Sequence, residues 1–410
     1  MPVIAARLKV LLNDLPVGRL SLDENDRSEF RLLPSYLTAY PRPVLGQYFL
    51  DAGDSAVRSN ARLPAWFANL LPEKNGPLRK LIAEKAGVKP EREFQLLALL
   101  GENLPGAVRV IADNEEQEEN FIEDGSDVYP EHSTSMDTSG EGWRFSLAGV
   151  QLKFSAIRSG RGLTIPAHAR NSDWIVKLPD SRFPNVPENE FATMQWAKDS
   201  GINIPEIALV PIADISGLPP EINQSRENYA FAIRRFDRPQ FNQRTHIEDF
   251  AQILNLYPED KYRKYNYETL GKLILVISGE AALKEFIQRL TFVILSGNGD
   301  AHHKNWSLLY DLDGVNAMLS PAYDLVSTIQ YIEKDSLALN LAKSKQWTDI
   351  SLAGFRRMAR KIDIEESKIL DWANTAIEAV RQAWREGQTE FGYTKSQRHV
   401  LQQHIDSIHW

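Results

Sequence analysis

Between Asp113 and Glu141 the chain carries eleven carboxylates (Asp113, Glu115, Glu116, Glu118, Glu119, Glu123, Asp124, Asp127, Glu131, Asp137 and Glu141) and no Lys or Arg. A run of like charges that is also rich in Ser and Thr, with almost no periodic apolar residues, buries too little surface to offset the entropy of ordering it. It therefore divides a chain of 410 residues, already too long for one core, into separately packed parts. We expect an α+β domain over 1–111, an acidic linker over 112–142, a strand-rich lobe over 143–240 and a helical lobe over 241–410. Taking the eleven charges out of the net charge of −8 leaves +3 on the rest. A nearly neutral body beside an acidic strip is a poor nucleic-acid binder alone, because affinity for DNA rests on neutralising phosphates.

The absence of cysteine excludes disulfides and thiolate chemistry and fits a reducing cytoplasm. The N-terminal stretch has no sustained apolar region, since Asp14 interrupts the nearest candidate, and no segment approaches the roughly 18 apolar residues of a membrane span. We expect a soluble, cytoplasmic protein with no membrane partner.

Leu8, Val10 and Leu12 alternate, Asn13-Asp14 supplies a turn, and Val17, Leu20 and Leu22 resume, so Arg7 to Leu33 reads as short strands. From Leu63 to Leu100 the apolar spacing turns helical, punctuated by Pro72, Gly76 and Gly87. After the acidic run, strand-like segments recur at Arg144–Leu147, Leu152–Ile157, Trp174–Leu178 and Tyr229–Arg235, interrupted by one helix near Glu188–Ser200. Beyond Thr245 the helical runs are Tyr267–Val276, Ala281–Leu295, Ile350–Ile362 and Glu365–Gly387. A strand-rich lobe followed by a helical one suits a kinase that clamps ATP between two halves, but it is also a common α+β arrangement.

The sharpest local signal is Ser296-Gly-Asn-Gly-Asp-Ala-His-His-Lys-Asn-Trp306, between an apolar helix and a strand-like Ser307–Tyr310. Asp300 and Asn305 stand five apart, with His302 and Lys304 between them, and Asp324 follows in Leu319-Ser-Pro-Ala-Tyr-Asp-Leu-Val-Ser327. Phosphoryl transfer from ATP needs these types: one carboxylate for the acceptor hydroxyl, an amide oxygen and a second carboxylate for Mg²⁺ on the phosphates. The Asp-x₄-Asn spacing is that of the protein-kinase catalytic loop. A lone Asp-x₄-Asn is far more often a polar turn between a helix and a strand, so the pattern needs the other pieces in order around it. His302 and His303 as zinc ligands is a third reading, weakened because adjacent histidines project to different sides and no carboxylate or thiolate cluster has zinc spacing.

Lys177 sits inside the buried-looking strand Asp173-Trp-Ile-Val-Lys-Leu-Pro179, where an unpaired ammonium is costly. It is either an edge residue or a functional charge on ATP phosphates, with Glu190 on the next helix as a candidate partner. Ahead of it, Ala148 and Gly149 in Arg144-Phe-Ser-Leu-Ala-Gly-Val-Gln-Leu-Lys-Phe154 would let backbone N–H groups approach phosphate, although a hairpin turn explains them as well. Phe231-Ala-Ile-Arg-Arg-Phe-Asp-Arg238 suits the segment joining two lobes, where the backbone of Arg234, Arg235 and Phe236 would meet adenine; an ordinary strand end with surface arginines is the alternative.

In this order, the blocks resemble the HipA family of toxin kinases from bacterial toxin–antitoxin modules. They are Phe145-Ser-Leu-Ala-Gly-Val-Gln-Leu-Lys153, Ile175-Val-Lys-Leu-Pro179, Glu188-Asn-Glu190, Arg235-Phe-Asp-Arg238, Glu248-Asp249-Phe250, Gly297 to Asn305 and Ser320-Pro-Ala-Tyr-Asp324, with Val17-Gly-Arg-Leu20 and Leu70-Leu-Pro-Glu73 in the N-terminal part. The resemblance spans essentially the whole chain. It implies an α+β, protein-kinase-like bilobal fold with an extra N-terminal α+β domain and an all-helical C-lobe. It also implies an ATP- and Mg²⁺-dependent serine/threonine kinase. Asp300 would be the catalytic base, and Asn305 and Asp324 the metal ligands. Lys177, His302 and Lys304 would lie near the phosphates, Ala148, Gly149, Val150, Gln151 and Lys153 on the phosphate-side loop, and Tyr323 at the nucleotide. Ser146 would be the autophosphorylated serine whose modification silences the enzyme. The resemblance further implies a HipB-like helix-turn-helix antitoxin, through which DNA is met indirectly, and an aminoacyl-tRNA synthetase as protein acceptor. Arg234 departs from the acidic hinge residue of the best-known members. A related pseudokinase acting as a corepressor is the alternative, and the joint presence of Lys177, Asp300, Asn305 and Asp324 argues against it.

Overall fold

The computed structural model describes residues 4–52, 56–113, 152–160, 162–166, 172–218, 227–240 and 242–410. The first sheet joins β1 (Ile4–Leu12), β2 (Leu15–Asp23), β3 (Arg27–Leu32), β4 (Val57–Asn60) and β5 (Val108–Ala112) in the antiparallel order β4-β3-β2-β1-β5. The expected alternation holds: Leu8, Val10, Leu12, Val17 and Leu20 are all buried. Asn13 takes φ 53° at the β1–β2 turn, a backbone that asparagine tolerates better than most residues. Helices Pro77–Lys85 and Glu93–Leu100 pack their apolar faces into the same core.

The second sheet contains β6 (Lys153–Ser159), β7 (Gly162–Thr164), β8 (Trp174–Lys177), β9 (Ile207–Pro211), β10 (Ile215–Ser216) and β11 (Tyr229–Arg234), ordered β10-β7-β6-β8-β11-β9. Successive side chains on a strand face opposite ways, and here both ways are covered. Phe154, Ala156, Trp174, Val176, Ala230 and Ala232 join the core of the N-terminal part. Phe231 and Ile233 join the other core, shared with helix Val186–Asp199 and the C-terminal helices. The N-terminal part and the second sheet therefore share one continuous core, although the acidic run separates them along the chain.

Helix Tyr267–Leu295 is broken at Gly279 (φ 82°, ψ −177°), which reproduces the two runs read from the sequence. Helices Leu352–Ile362, Glu366–Gly387 and Lys395–Ser407 complete the lobe. The expectation of an all-helical C-lobe is corrected by a third sheet, β12 (Ile247–Asp249), β13 (Ser307–Tyr310) and β14 (Ala317–Leu319). β13 leaves the Asp300–Asn305 loop directly, and pairing with β12 and β14 satisfies its backbone groups. Among the described residues no helix is long and apolar enough to cross a membrane.

Glu248 on β12 fastens the N-terminal part to this sheet. It is fully buried and accepts from Trp66 Nε1 (2.8 Å), Gln47 N (3.0 Å) and Tyr310 Oη (2.9 Å). Burial pushes its carboxyl up to about 7. Glu248→Ala strands three buried donors, and losing one such acceptor costs about 1–3 kcal/mol. A fall of about 3 kcal/mol in denaturant unfolding is expected, with Glu248→Gln, which keeps an acceptor oxygen, much milder. Equal midpoints for the wild type and the alanine variant would contradict this.

Candidate active site

The second sheet, the N-terminal part and the helical lobe enclose a cleft of about 760 Å³. It gathers Lys153 and Lys177 from the strands, Arg234 to Phe236 from the end of β11, and Asp300, His302, Lys304 and Asn305 from one loop, with Tyr323 and Asp324 opposite. These residues span over 170 positions of sequence, and the fold brings them to one place. Ser146, Ala148, Gly149, Val150 and Gln151 lie outside the described residues.

Lys177 is the hub. Val176 points into the shared core, so by alternation Lys177 points into the cleft, beside Lys153, its register partner on β6. Its side chain is 7% exposed and donates to Glu190 Oε1 (2.5 Å) on helix Val186–Asp199 and to Asp324 Oδ1. Burial opposes the charge on Lys177, but Asp324 and Glu190 outweigh it and hold the ammonium above the ordinary lysine range. Burial also favours a neutral Asp324, yet Lys177 and Lys153 overcome it and keep that carboxylate ionised, well below its usual range. Glu190 is pushed up to about 7 by burial, with Lys177 opposing and the charge of Asp324 adding to it. Two carboxylates thus share one ammonium, and Asp324 is the one that holds its charge. Burial pulls Lys153 down to about 8. Asp324 takes φ 54°, a left-handed backbone for a residue with a side chain, tolerated here by a short polar group.

The loop around Asp300 is held by its own backbone and neighbours. Asn298 Oδ1 accepts from Asp300 N (3.0 Å), and Asp300 O accepts from Asn305 Nδ2 (2.8 Å) and His302 N (2.7 Å). Ala301 O is clamped by Tyr267 Oη (3.0 Å) and Trp306 Nε1 (3.1 Å). Gly297 has φ 60°, and a side chain there would strike Ile329; one at Gly299 would strike Asp335. That is why glycine flanks Asn298. The Asp300 side chain is half exposed to the cleft but enclosed by protein, and this burial raises its proton affinity, opposed by Tyr262 and Lys261.

Other predicted side chains are directed elsewhere. Lys304 Nζ donates to Asn69 O (2.9 Å) and Oδ1 (3.1 Å) and lies 3.8 Å from Asp249 Oδ2, so its ammonium meets the N-terminal part. His302 is kept neutral by burial and accepts from Lys304 N at Nδ1 (3.2 Å). Tyr323 Oη donates to Lys304 O (2.8 Å), and its ring packs against Phe236 at 5.7 Å. The Arg235 guanidinium folds back on Asp237 through bonds of 2.9 and 2.7 Å, while the Arg234 side chain is exposed. The N–H groups of Arg234 and Arg235 are engaged by Glu206 O and Asp173 O.

The sequence reading missed four residues that border this loop. Tyr262 donates its phenolic O–H to Asp300 Oδ1. Lys261 Nζ meets Glu73 Oε1 (3.0 Å), and Asn69 receives Lys304. Leu70-Leu-Pro-Glu73 stood out as a motif, but no spacing rule ties it to a loop more than 220 residues later.

Two family models match the chain: the HipA N-terminal domain over residues 8–111 and the HipA-like C-terminal domain over 145–384. Protein Y4dM of Sinorhizobium fredii (strain NBRC 101917 / NGR234), provisionally named a kinase, is 41% identical over 393 residues, covering 94% of this chain and 92% of its own. The serine/threonine-protein kinase toxin HipA of Shewanella oneidensis MR-1 is 26% identical over 362 residues, covering 79% of this chain and 76% of its own. A HipA chain solved in the Shewanella oneidensis MR-1 complex of HipA, HipB and operator DNA superposes with a TM-score of 0.71 at 20% identity, covering 98% of this chain and 95% of that one. Both halves of the chain, its length and its fold agree: this protein belongs to the HipA family.

Proposed function

We propose that the cleft binds Mg²⁺-ATP and transfers the γ-phosphoryl group to a serine or threonine hydroxyl of a protein. The observation that carries this reading is the buried Lys177 bridging Glu190 and Asp324 in the same cleft as Asp300 and Asn305. A strand lysine paired to a helix glutamate is how kinases present an ammonium to ATP phosphates. In the step, the acceptor oxygen attacks the γ-phosphorus and the bond to the β–γ bridging oxygen breaks, releasing ADP. The hydroxyl proton passes to the Asp300 carboxylate, whose raised proton affinity suits it to receive one. With the Arg234 and Arg235 N–H groups engaged by Glu206 O and Asp173 O, this segment would meet adenine through its carbonyls and through Phe236, with Ile175, Val186 and Ile233 also lining the cleft.

The donor set fits Mg²⁺. Among the described residues no group of three or more His, Cys, Asp or Glu is placed to hold a metal. Asp324 stays ionised, and Asn305 spends its Nδ2 on Asp300 O, which leaves Oδ1 as the atom to offer a cation. One or two hard protein oxygens, completed by phosphates and water, is the usual Mg²⁺ environment with nucleotides. Bound there, Mg²⁺ would neutralise charge that builds on the phosphate oxygens.

The same reading takes Ser146, the position matched by the family resemblance, as the autophosphorylated serine; a phosphate there would add nearly two negative charges. It takes a HipB-like antitoxin as partner, supported by the fold shared with the HipA chain of the HipA–HipB–DNA complex. It leaves an aminoacyl-tRNA synthetase as the acceptor to try first. A chelator excess should abolish transfer from labelled ATP, with Mg²⁺ restoring it; transfer that persists under chelation counts against the site.

A further inference from the structure

Asp300 already holds a hydroxyl. The phenolic O–H of Tyr262 donates to Asp300 Oδ1, the donor type that an acceptor serine or threonine has to bring to this carboxylate. Tyr262 is not part of the catalytic loop. It lies between the turn Pro258–Asp260 and helix Tyr267–Leu295, and its ring stands edge-on to His302 with centroids 4.9 Å apart. The backbone under it is anchored: Lys345 Nζ donates to Tyr262 O (3.2 Å), and Lys261 O accepts from His303 Nδ1 (2.6 Å). The residue itself is 38% exposed, so the ring can leave while the backbone stays.

We propose that Tyr262 is a placeholder for the acceptor hydroxyl, occupying its hydrogen-bonding place on Asp300 until a protein acceptor displaces it. The proposal rests on the kinase reading of the same cleft. Burial and the Asp300 charge raise the Tyr262 phenol well above its ordinary range, so it stays a donor at every working pH. Tyr262 would act on specificity in two ways: it competes with water for Asp300 Oδ1, limiting idle ATP hydrolysis, and it sets a threshold that an acceptor must exceed.

Tyr262→Phe keeps the ring and removes only the O–H. Wild type, Tyr262→Phe and Asp300→Asn are compared for Mg²⁺-ATP hydrolysis without acceptor and for transfer to a synthetic serine peptide of the sequence Arg144–Phe154. A hydrogen bond to a charged group is worth about 1.5–3 kcal/mol, so its loss moves the competition by tenfold or more. Tyr262→Phe should raise hydrolysis and lower the peptide KM, each by about tenfold, with kcat nearly unchanged. A lower kcat at unchanged KM would instead make Tyr262 a positioning residue for the base and overturn the proposal. Phosphate mapped to Tyr262 in the wild type would overturn it too, by making the tyrosine an acceptor. No Asp300-dependent turnover in either protein would remove the kinase reading itself, and the proposal with it.

Discussion

Asp300→Asn should give a folded protein that binds Mg²⁺-ATP as the wild type does and transfers phosphate at least about a thousandfold more slowly. General-base assistance contributes roughly 10²–10⁴ to rate, and an amide in place of the carboxylate cannot take the acceptor proton. The fold should hold because the loop's backbone does not depend on that carboxylate's charge, and the amide oxygen of asparagine can still accept from Tyr262. Asp300 N and O are satisfied by Asn298 and by Asn305 and His302, and the side chain opens onto the cleft. Unfolding midpoints within about 1 kcal/mol of the wild type are expected. Equal nucleotide affinity with lost transfer places Asp300 in the chemical step; lost affinity would place it in nucleotide binding.

Lys177→Met should have the largest effect on stability. It leaves the fully buried Glu190 without its cation and beside the partly exposed Asp324, and breaking a buried pair from one side costs about 3–5 kcal/mol. The deficit should depend on pH in a definite direction. Glu190 has a folded value near 7 against 4.5 for the free side chain, so between those values the folded state binds the extra proton. Stability contributed by that group therefore falls as pH rises through the window. Without Lys177 the penalty grows, so Lys177→Met should lose more at pH 8 than at pH 5.5, and adding Glu190→Gln should recover part of the loss. A deficit independent of pH would mean that Glu190 does not share the cation.

What could be read from the sequence was what local spacing encodes. Asp300 and Asn305 lie within one turn and strand start, and Lys177 stands where a strand's alternation turns it from core to cleft. Leu8, Val10 and Leu12 showed the first sheet by period two. Helix Lys395–Ser407 went unread because it is mostly polar; its capping box, Thr394 with Gln397, was a usable signal. β7 and β10 are three and two residues long, too short for periodicity to show. Tyr262, Lys261, Asn69 and Glu73 were out of reach for a different reason. Lys261 with Glu73 and Asn69 with Lys304 meet only across the junction of the N-terminal part and the helical lobe, Tyr262 meets Asp300 only through the fold of the lobe, and no property of Tyr262 within its own segment distinguishes it from Tyr265 three residues later.

If this cleft moves phosphate from ATP through Asp300, the modification state of the protein itself will record it. Intact-mass measurement of the wild type and Asp300→Asn after incubation with Mg²⁺-ATP, with peptide mapping, tests it most directly. One added phosphoryl group is expected in the wild type, on Ser146, and none in Asp300→Asn. Phosphate on both proteins, or on the variant alone, would contradict the assignment of Asp300, and an unmodified wild type would contradict self-phosphorylation at Ser146.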